Sequence, residues 1–160
     1  MKIYKKIMLK YIALLIVLAG SVSCSMKGDN EMFNDPKEIL FAEYFLNETG
    51  CWWTNFESGK VIIINNNNEL EKHIACSDSS NGYPAIDFSK QTLLLVSGGA
   101  TNGVSKIDTK FTQTAINKYV LRVIIHENIT TVPQGWNISI LTSKIGNKGN
   151  VTLNVEQTYQ

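Results

Sequence analysis

The run Leu93-Leu94-Leu95-Val96, inside Gln91–Ser97, constrains this chain more than any other feature. Successive side chains of a strand point to opposite faces, so four apolar residues in a row need cover on both sides. The expectation is a central strand with material packed above and below it. Shorter β-branched or alternating runs surround it: Lys60–Ile64, Val104–Phe111, Tyr119–Ile125, Trp136–Leu141, and Val151, Leu153 and Val155 alternating with Thr152, Asn154 and Glu156. Turn formers separate them at short intervals, as in Gly98-Gly99, Asn117-Lys118, Val132-Pro133-Gln134-Gly135 and Gly146-Asn147-Lys148-Gly149-Asn150. About six strands joined in this way predict a mostly β fold, an antiparallel β-sandwich or partly closed barrel.

Helix signals are confined to the N-terminal side. Asp35-Pro36-Lys37-Glu38 offers a capping acceptor, proline at the first helical position and glutamate at the third. Leu40, Phe41, Tyr44 and Phe45 then recur on one helical face, and Gly50 supplies a stop. Asn68-Glu69-Leu70-Glu71 predicts a second, shorter helix from Glu69 to about Ala75, with Leu70 and Ile74 on one face.

The first residues read as an export signal. Lys2, Lys5, Lys6 and Lys10 precede an apolar stretch from Tyr11 to Leu18, and small residues follow at Ala19, Gly20, Ser21 and Ser23. Lys10 and Ser21 confine the apolar run to about half of the roughly 20 residues a membrane span needs. Ser21-Val22-Ser23-Cys24 resembles the lipobox of bacterial lipoproteins, in the looser form of Bacteroides-type bacteria. There small residues precede a cysteine that becomes diacylated. The family favours Leu three residues before the cysteine, where Ser21 stands. The resemblance implies a signal peptide over 1–23, lipid on Cys24, a polar tether over 24–34 and a single strand-rich domain over 35–160. It also implies membrane attachment in the bacterial cell envelope, at the outer rather than the inner membrane. Ordinary cleavage near Ser21 or Ser23, leaving Cys24 as a thiol, is the alternative.

Three cysteines occur: Cys24, Cys51 and Cys76. With Cys24 acylated, Cys51 and Cys76 remain an even pair in an oxidising compartment, where a disulfide is expected. Two buried thiols are the other reading, and neither cysteine belongs to a C-x-x-C metal pair. Removing the signal takes Lys2, Lys5, Lys6 and Lys10 from 15 basic residues and none from 14 acidic ones, so the formal charge moves from +1 to −3. That mild balance lacks the basic stripe of a nucleic-acid binder.

No catalytic constellation is visible. Gly98 and Gly103 have the interval of a phosphate-binding loop, but Val104 stands where lysine is required and a strand follows instead of a helix. His73 and His126 are the only histidines, without H-x-x-x-H or H-E-x-x-H spacing, and no G-x-S-x-G elbow occurs. Asp87 reads as a turn or cap residue before the central strand. No metal or cofactor is expected. The aromatic residues remain. Trp52 and Trp53 adjoin the cysteine pair and Trp136 follows the Pro-Gln-Gly turn; each suits either the core or an exposed anchor. If Trp52-Trp53 is extended, one ring must face outward.

From Cys51 to Val155 the chain resembles small Bacteroides-type lipoproteins of unassigned function. The residues that carry this are Val61-Ile62-Ile63-Ile64-Asn65, Glu69-Leu70-Glu71-Lys72, Ile86-Asp87-Phe88-Ser89-Lys90, Leu93-Leu94-Leu95 and Val151-Thr152-Leu153-Asn154-Val155. Asp87–Gly103 also resembles the β-rich C-terminal domain of a protease-complex stability protein. Thr101-Asn102-Gly103 is similar to the Thr-x-Gly loop of chagasin-like cysteine-protease inhibitors, without their preceding Asn-Pro. None of these resemblances brings a catalytic residue. The expectation is a lipid-anchored, non-catalytic binding or accessory module. Its contacts would come from Thr101, Asn102, Gly103, the Pro133–Trp136 turn, and Trp52 or Trp53, with a protein or an envelope glycan as partner. A protease inhibitor using the same loops and an enzyme whose site assembles only in space are the alternatives.

Overall fold

Each apolar run of the sequence becomes a strand whose alternation decides which layer it joins. The computed structural model describes residues 35–159; the expected signal segment, Cys24 and the expected tether lie outside the described residues. The strands are β1 (Lys37–Glu38), β2 (Phe41–Glu43), β3 (Cys51–Trp53), β4 (Val61–Ile64), β5 (Ile74–Cys76), β6 (Gln91–Ala100), β7 (Val104–Ala115), β8 (Lys118–Glu127), β9 (Gln134–Ser143) and β10 (Asn150–Tyr159). A single turn of helix, α1 (Asn67–Leu70), separates β4 from β5. One sheet has the order β1-β7-β8-β10, a second β2-β9-β6-β4, and β3 pairs with β5 in a small third sheet. The fold is a mostly β sandwich rather than a closed barrel.

The leucine run sits where two-sided cover is available. Leu94, Val96 and Ala100 of β6 pack with Phe111, Leu121, Val123 and Ile125 between the two large sheets. Leu93 and Leu95 point the other way, against Tyr44, Leu46, Ile64, Leu70 and Ile74. The second large sheet is therefore a middle layer, and burial of Leu93, Leu94 and Leu95 is complete. Along β8 the alternation Leu121, Val123, Ile125 carries one step further and places Glu127 inside as well, also fully buried.

The pairing is antiparallel throughout except at β10. The chain leaves the first sheet after β8, crosses the second as β9 and returns, so β10 runs parallel to β8 from Asn150↔Lys118 to Tyr159↔Glu127.

Three expectations change. The helix from Asp35 to Gly50 does not form; β1 and β2 stand there, each on the edge of a different large sheet. Ile39 and Phe41 pack on the core while Leu40 is 91% exposed, a period of two rather than 3.6. Pairing with the open edges of β7 and β9 overrides the local helix signal. The second helix starts earlier and is shorter. Asn66 is its cap, accepting from the Glu69 N–H at 2.9 Å, and the Glu69 carboxylate accepts from the Asn65 N–H at 2.7 Å. Residues Ile74–Cys76 are strand because Cys76 pairs in register with Cys51, and the two are joined by a disulfide. Finally, Gly98-Gly99 lies within β6 instead of forming a turn. A Cβ on Gly98 would fall 2.3 Å from Cζ2 of Trp136, so glycine there makes room for the indole on the neighbouring strand.

Candidate functional site

A cleft of about 450 Å³ opens where β2 stops covering the edge of β9. β2 pairs with β9 only over Ile140–Thr142, and Tyr44 extends the contact by donating its N–H to the Ser139 carbonyl at 2.9 Å. The Ser139 hydroxyl donates in return to the Tyr44 carbonyl at 2.6 Å. Beyond this point the chain swings away through Phe45 and Leu46, leaving Asn137 and Ile138 on the cleft floor. Ile107 and Thr109 of β7 form one wall, and Trp52, Trp53 and Phe56 the other.

The aromatic wall follows from strand alternation. In extended β3, Cys51 turns inward to its disulfide, Trp52 outward, and Trp53 back against the inner cluster. Trp53 stacks obliquely on Tyr44 with ring centroids 5.9 Å apart. Trp52 (52%), Phe45 (59%) and Phe56 (38%) keep large exposed areas although they line one depression. The Tyr44 hydroxyl donates to the Pro84 carbonyl at 2.5 Å. Burial, aided by Tyr83 nearby, pushes the Tyr44 phenol up to about 12. Glu43 is the one carboxylate among the lining residues, which include no lysine, arginine or histidine. Such a surface suits binding of a neutral or cationic partner with apolar faces.

The loops singled out from sequence meet at a different place, one end of the sandwich. The Gly103 N–H donates to Oγ1 of Thr130 at 3.1 Å, and the Val104 N–H to Oε1 of Gln134 at 2.8 Å. Asn102 Nδ2 donates to Oε2 of Glu127 at 2.6 Å, and the Thr101 hydroxyl donates to the same oxygen at 3.1 Å. Thr101 and Asn102 thus spend their polar groups on a buried carboxylate. A Cβ on Gly103 would fall 2.4 Å from the Thr130 hydroxyl oxygen. Trp136 takes the core reading, 7% exposed over Gly98, and leaves the set of surface contacts. Among the residues this end exposes are two large apolar ones, Ile129 at 92% and Val132 at 69%, beside Thr101, Thr130, Thr131 and Gln134. Sequence reasoning passed over both apolar residues, as it passed over Phe56, because an isolated apolar residue beside a turn has no periodicity to mark it, and it placed Phe45 on the face of a helix that does not form.

The remaining polar residues of interest serve the fold. His126 Nε2 lies 2.8 Å from Oδ2 of Asp108 and its Nδ1 3.1 Å from the Thr158 hydroxyl, tying β8 to both neighbours. Hydrogen bonds from Lys106, then His126, hold the Asp108 carboxyl below the usual range. His73 Nδ1 lies 3.2 Å from the Asn55 carbonyl. Asp87 accepts from the Ser89 hydroxyl and N–H and pairs with Lys90, which lowers its carboxyl too. In a second cleft, of about 470 Å³, Lys144 Nζ donates to the Asn65 and Phe88 carbonyls, and Glu69 holds the Asn65 N–H. No group of three His, Cys, Asp or Glu positioned for a metal occurs among the described residues.

No family model, curated protein or solved structure matches the chain.

Proposed function

We infer that the mature protein is a lipid-anchored binding module of the bacterial envelope, and that its ligand enters the aromatic cleft beside β9. The observation that carries this is the convergence of Trp52, Phe45 and Phe56, all substantially exposed, on one depression. Large apolar rings exposed together in one patch mark a surface that gains free energy when a partner covers it, and tryptophan dominates the energetics of many interfaces. The export signal and Cys24 motivate the anchor, since a diacylated cysteine holds a protein stably at a membrane. The anchor is tested by Cys24→Ala, which should abolish palmitate labelling and release the protein from the membrane fraction. Labelling equal to wild type would refute it.

A second reading is favoured by Ile129 and Val132: docking of a protein, a protease among the possibilities, on the loop end. The two surfaces are separated by capture from native envelope with Trp52→Ala plus Phe45→Ala set against Ile129→Asn plus Val132→Asn. Loss of capture in the first pair alone, at unchanged melting temperature, supports the cleft. Loss in the second pair alone transfers the function to the loops.

A further inference from the structure

We propose that the ligand of the cleft is an extended polypeptide segment, which adds as a strand to β9 in line with β2; this rests on the cleft reading above. In an antiparallel strand the N–H and C=O of one residue point to the same side, and the side alternates along the chain. The Tyr44 N–H bonds the Ser139 carbonyl, so Ser139 faces β2, and Asn137 and Gly135 face the same way. Trp136 and Ile138 face β6, with which β9 pairs over its whole length. On the β2 side, no strand pairs with Gln134–Ile138 among the described residues. The result is a row of backbone donors and acceptors repeating about every 6.8 Å, the spacing of two strand residues.

Only another extended backbone answers that row in kind. The cleft also provides for side chains of both parities. One set would enter between the large sheets, beside Ile138 and Ile107, and the other would meet Trp52 and Phe56. Glu43, the one carboxylate of the lining, is the complement of a lysine or arginine in the incoming segment. The ligand is thus an extended peptide with alternating apolar and basic or neutral side chains. β7 presents a similar edge beyond β1, but β9 contributes four consecutive residues, Asn137 to Ile140, to the cleft, and β7 only Ile107 and Thr109.

The probe is an acetylated octapeptide alternating valine and lysine, titrated into the intact mature protein by calorimetry. Asn137→Pro removes the outward N–H of β9 without touching its ladder to β6, a position where edge proline is tolerated. It should weaken binding by about tenfold or more, whereas Asn137→Ala, which keeps the backbone, stays within about threefold of wild type. Independently of any variant, the Asn137 amide of the wild-type protein should become protected from hydrogen exchange in the complex. Equal binding by wild type and Asn137→Pro, or no added protection, overturns strand addition. Binding of a neutral hexasaccharide instead of the peptide, lost in Trp52→Ala, overturns it while leaving the cleft in place. Binding of neither probe, with envelope capture unaffected by Trp52→Ala, removes both.

Discussion

Gly98→Ala isolates one contact of the core. The added methyl carbon would sit 2.3 Å from Cζ2 and 2.7 Å from Cε2 of Trp136, so the ring must shift by about 1 Å to reach ordinary contact. Trp136 is 7% exposed and packed in the same cluster as Val96, Val123 and Ile125, which leaves little space for that shift. Overpacking of this kind costs about 1–3 kcal/mol. Against it stands a gain of about 0.4–1 kcal/mol, because alanine restricts the unfolded chain more than glycine does. The net expectation is a loss of about 1–2 kcal/mol. In a Trp136→Ala background, itself lowered by about 3–5 kcal/mol, the clash is gone and only the gain remains. The same substitution should then raise stability by about 0.5 kcal/mol, a reversal of sign. Urea unfolding followed by far-ultraviolet circular dichroism measures all four proteins without depending on the indole that is removed. A Gly98→Ala cost that is absent, or equal in the two backgrounds, would refute the packing argument.

Three further outcomes are expected. Denatured, unreduced protein should show no reactive thiol at Cys51 or Cys76, and replacing both with serine should cost about 2–5 kcal/mol in urea unfolding. The Tyr44 phenol ionises near 12 in the folded protein and near 10 when unfolded, so its contribution is complete below pH 10 and disappears as pH rises through 12. That loss, at most about 2–3 kcal/mol, should be missing from alkaline unfolding curves of Tyr44→Phe. Glu127 is fully buried, with Thr101 and Asn102 as donors to one oxygen and no partner for the other among the described residues. Asn102→Ala should therefore cost about 1–3 kcal/mol, whereas Glu127→Gln, whose amide oxygen can still accept from Thr101 and Asn102, should cost less than about 1 kcal/mol by thermal melting.

The large sheets were legible because long apolar runs bounded by turn residues have few other ways to bury themselves. Leu93–Val96 announced the middle layer, and the alternation of Val151, Leu153 and Val155 announced a strand with one wet face. The short strands were not legible. β1 and β2 are two and three residues long and exist because β7 and β9 offer edges, which is information held some 70 to 100 residues away. The same limit explains the site. Trp52 could be nominated from the parity of Trp52-Trp53, but Phe45 and Phe56 join it only because the disulfide and β9 bring three separate segments together. Gly98 shows the reverse case: a glycine read as a turn marks instead the place where Trp136 lies across the strand.

Both ends of the domain wait for its middle. β1 and β2 have no partner until β7 and β9 exist, and β10 cannot pair with β8 until β9 has crossed the other sheet. The hairpin of β7 and β8 closes over a short turn, whereas the contacts that complete the sheets close loops spanning much of the chain. Such long-range closure places folding in the slow, millisecond-to-second range of β-sandwiches. A chain that emerges with its first residue leading presents β1 and β2 well before either can pair. Until β10 arrives, β8 carries a bare edge along its full length, the geometry most prone to pairing with a neighbouring chain. The folding chain is therefore most exposed to mispairing in the interval before β10 is in place.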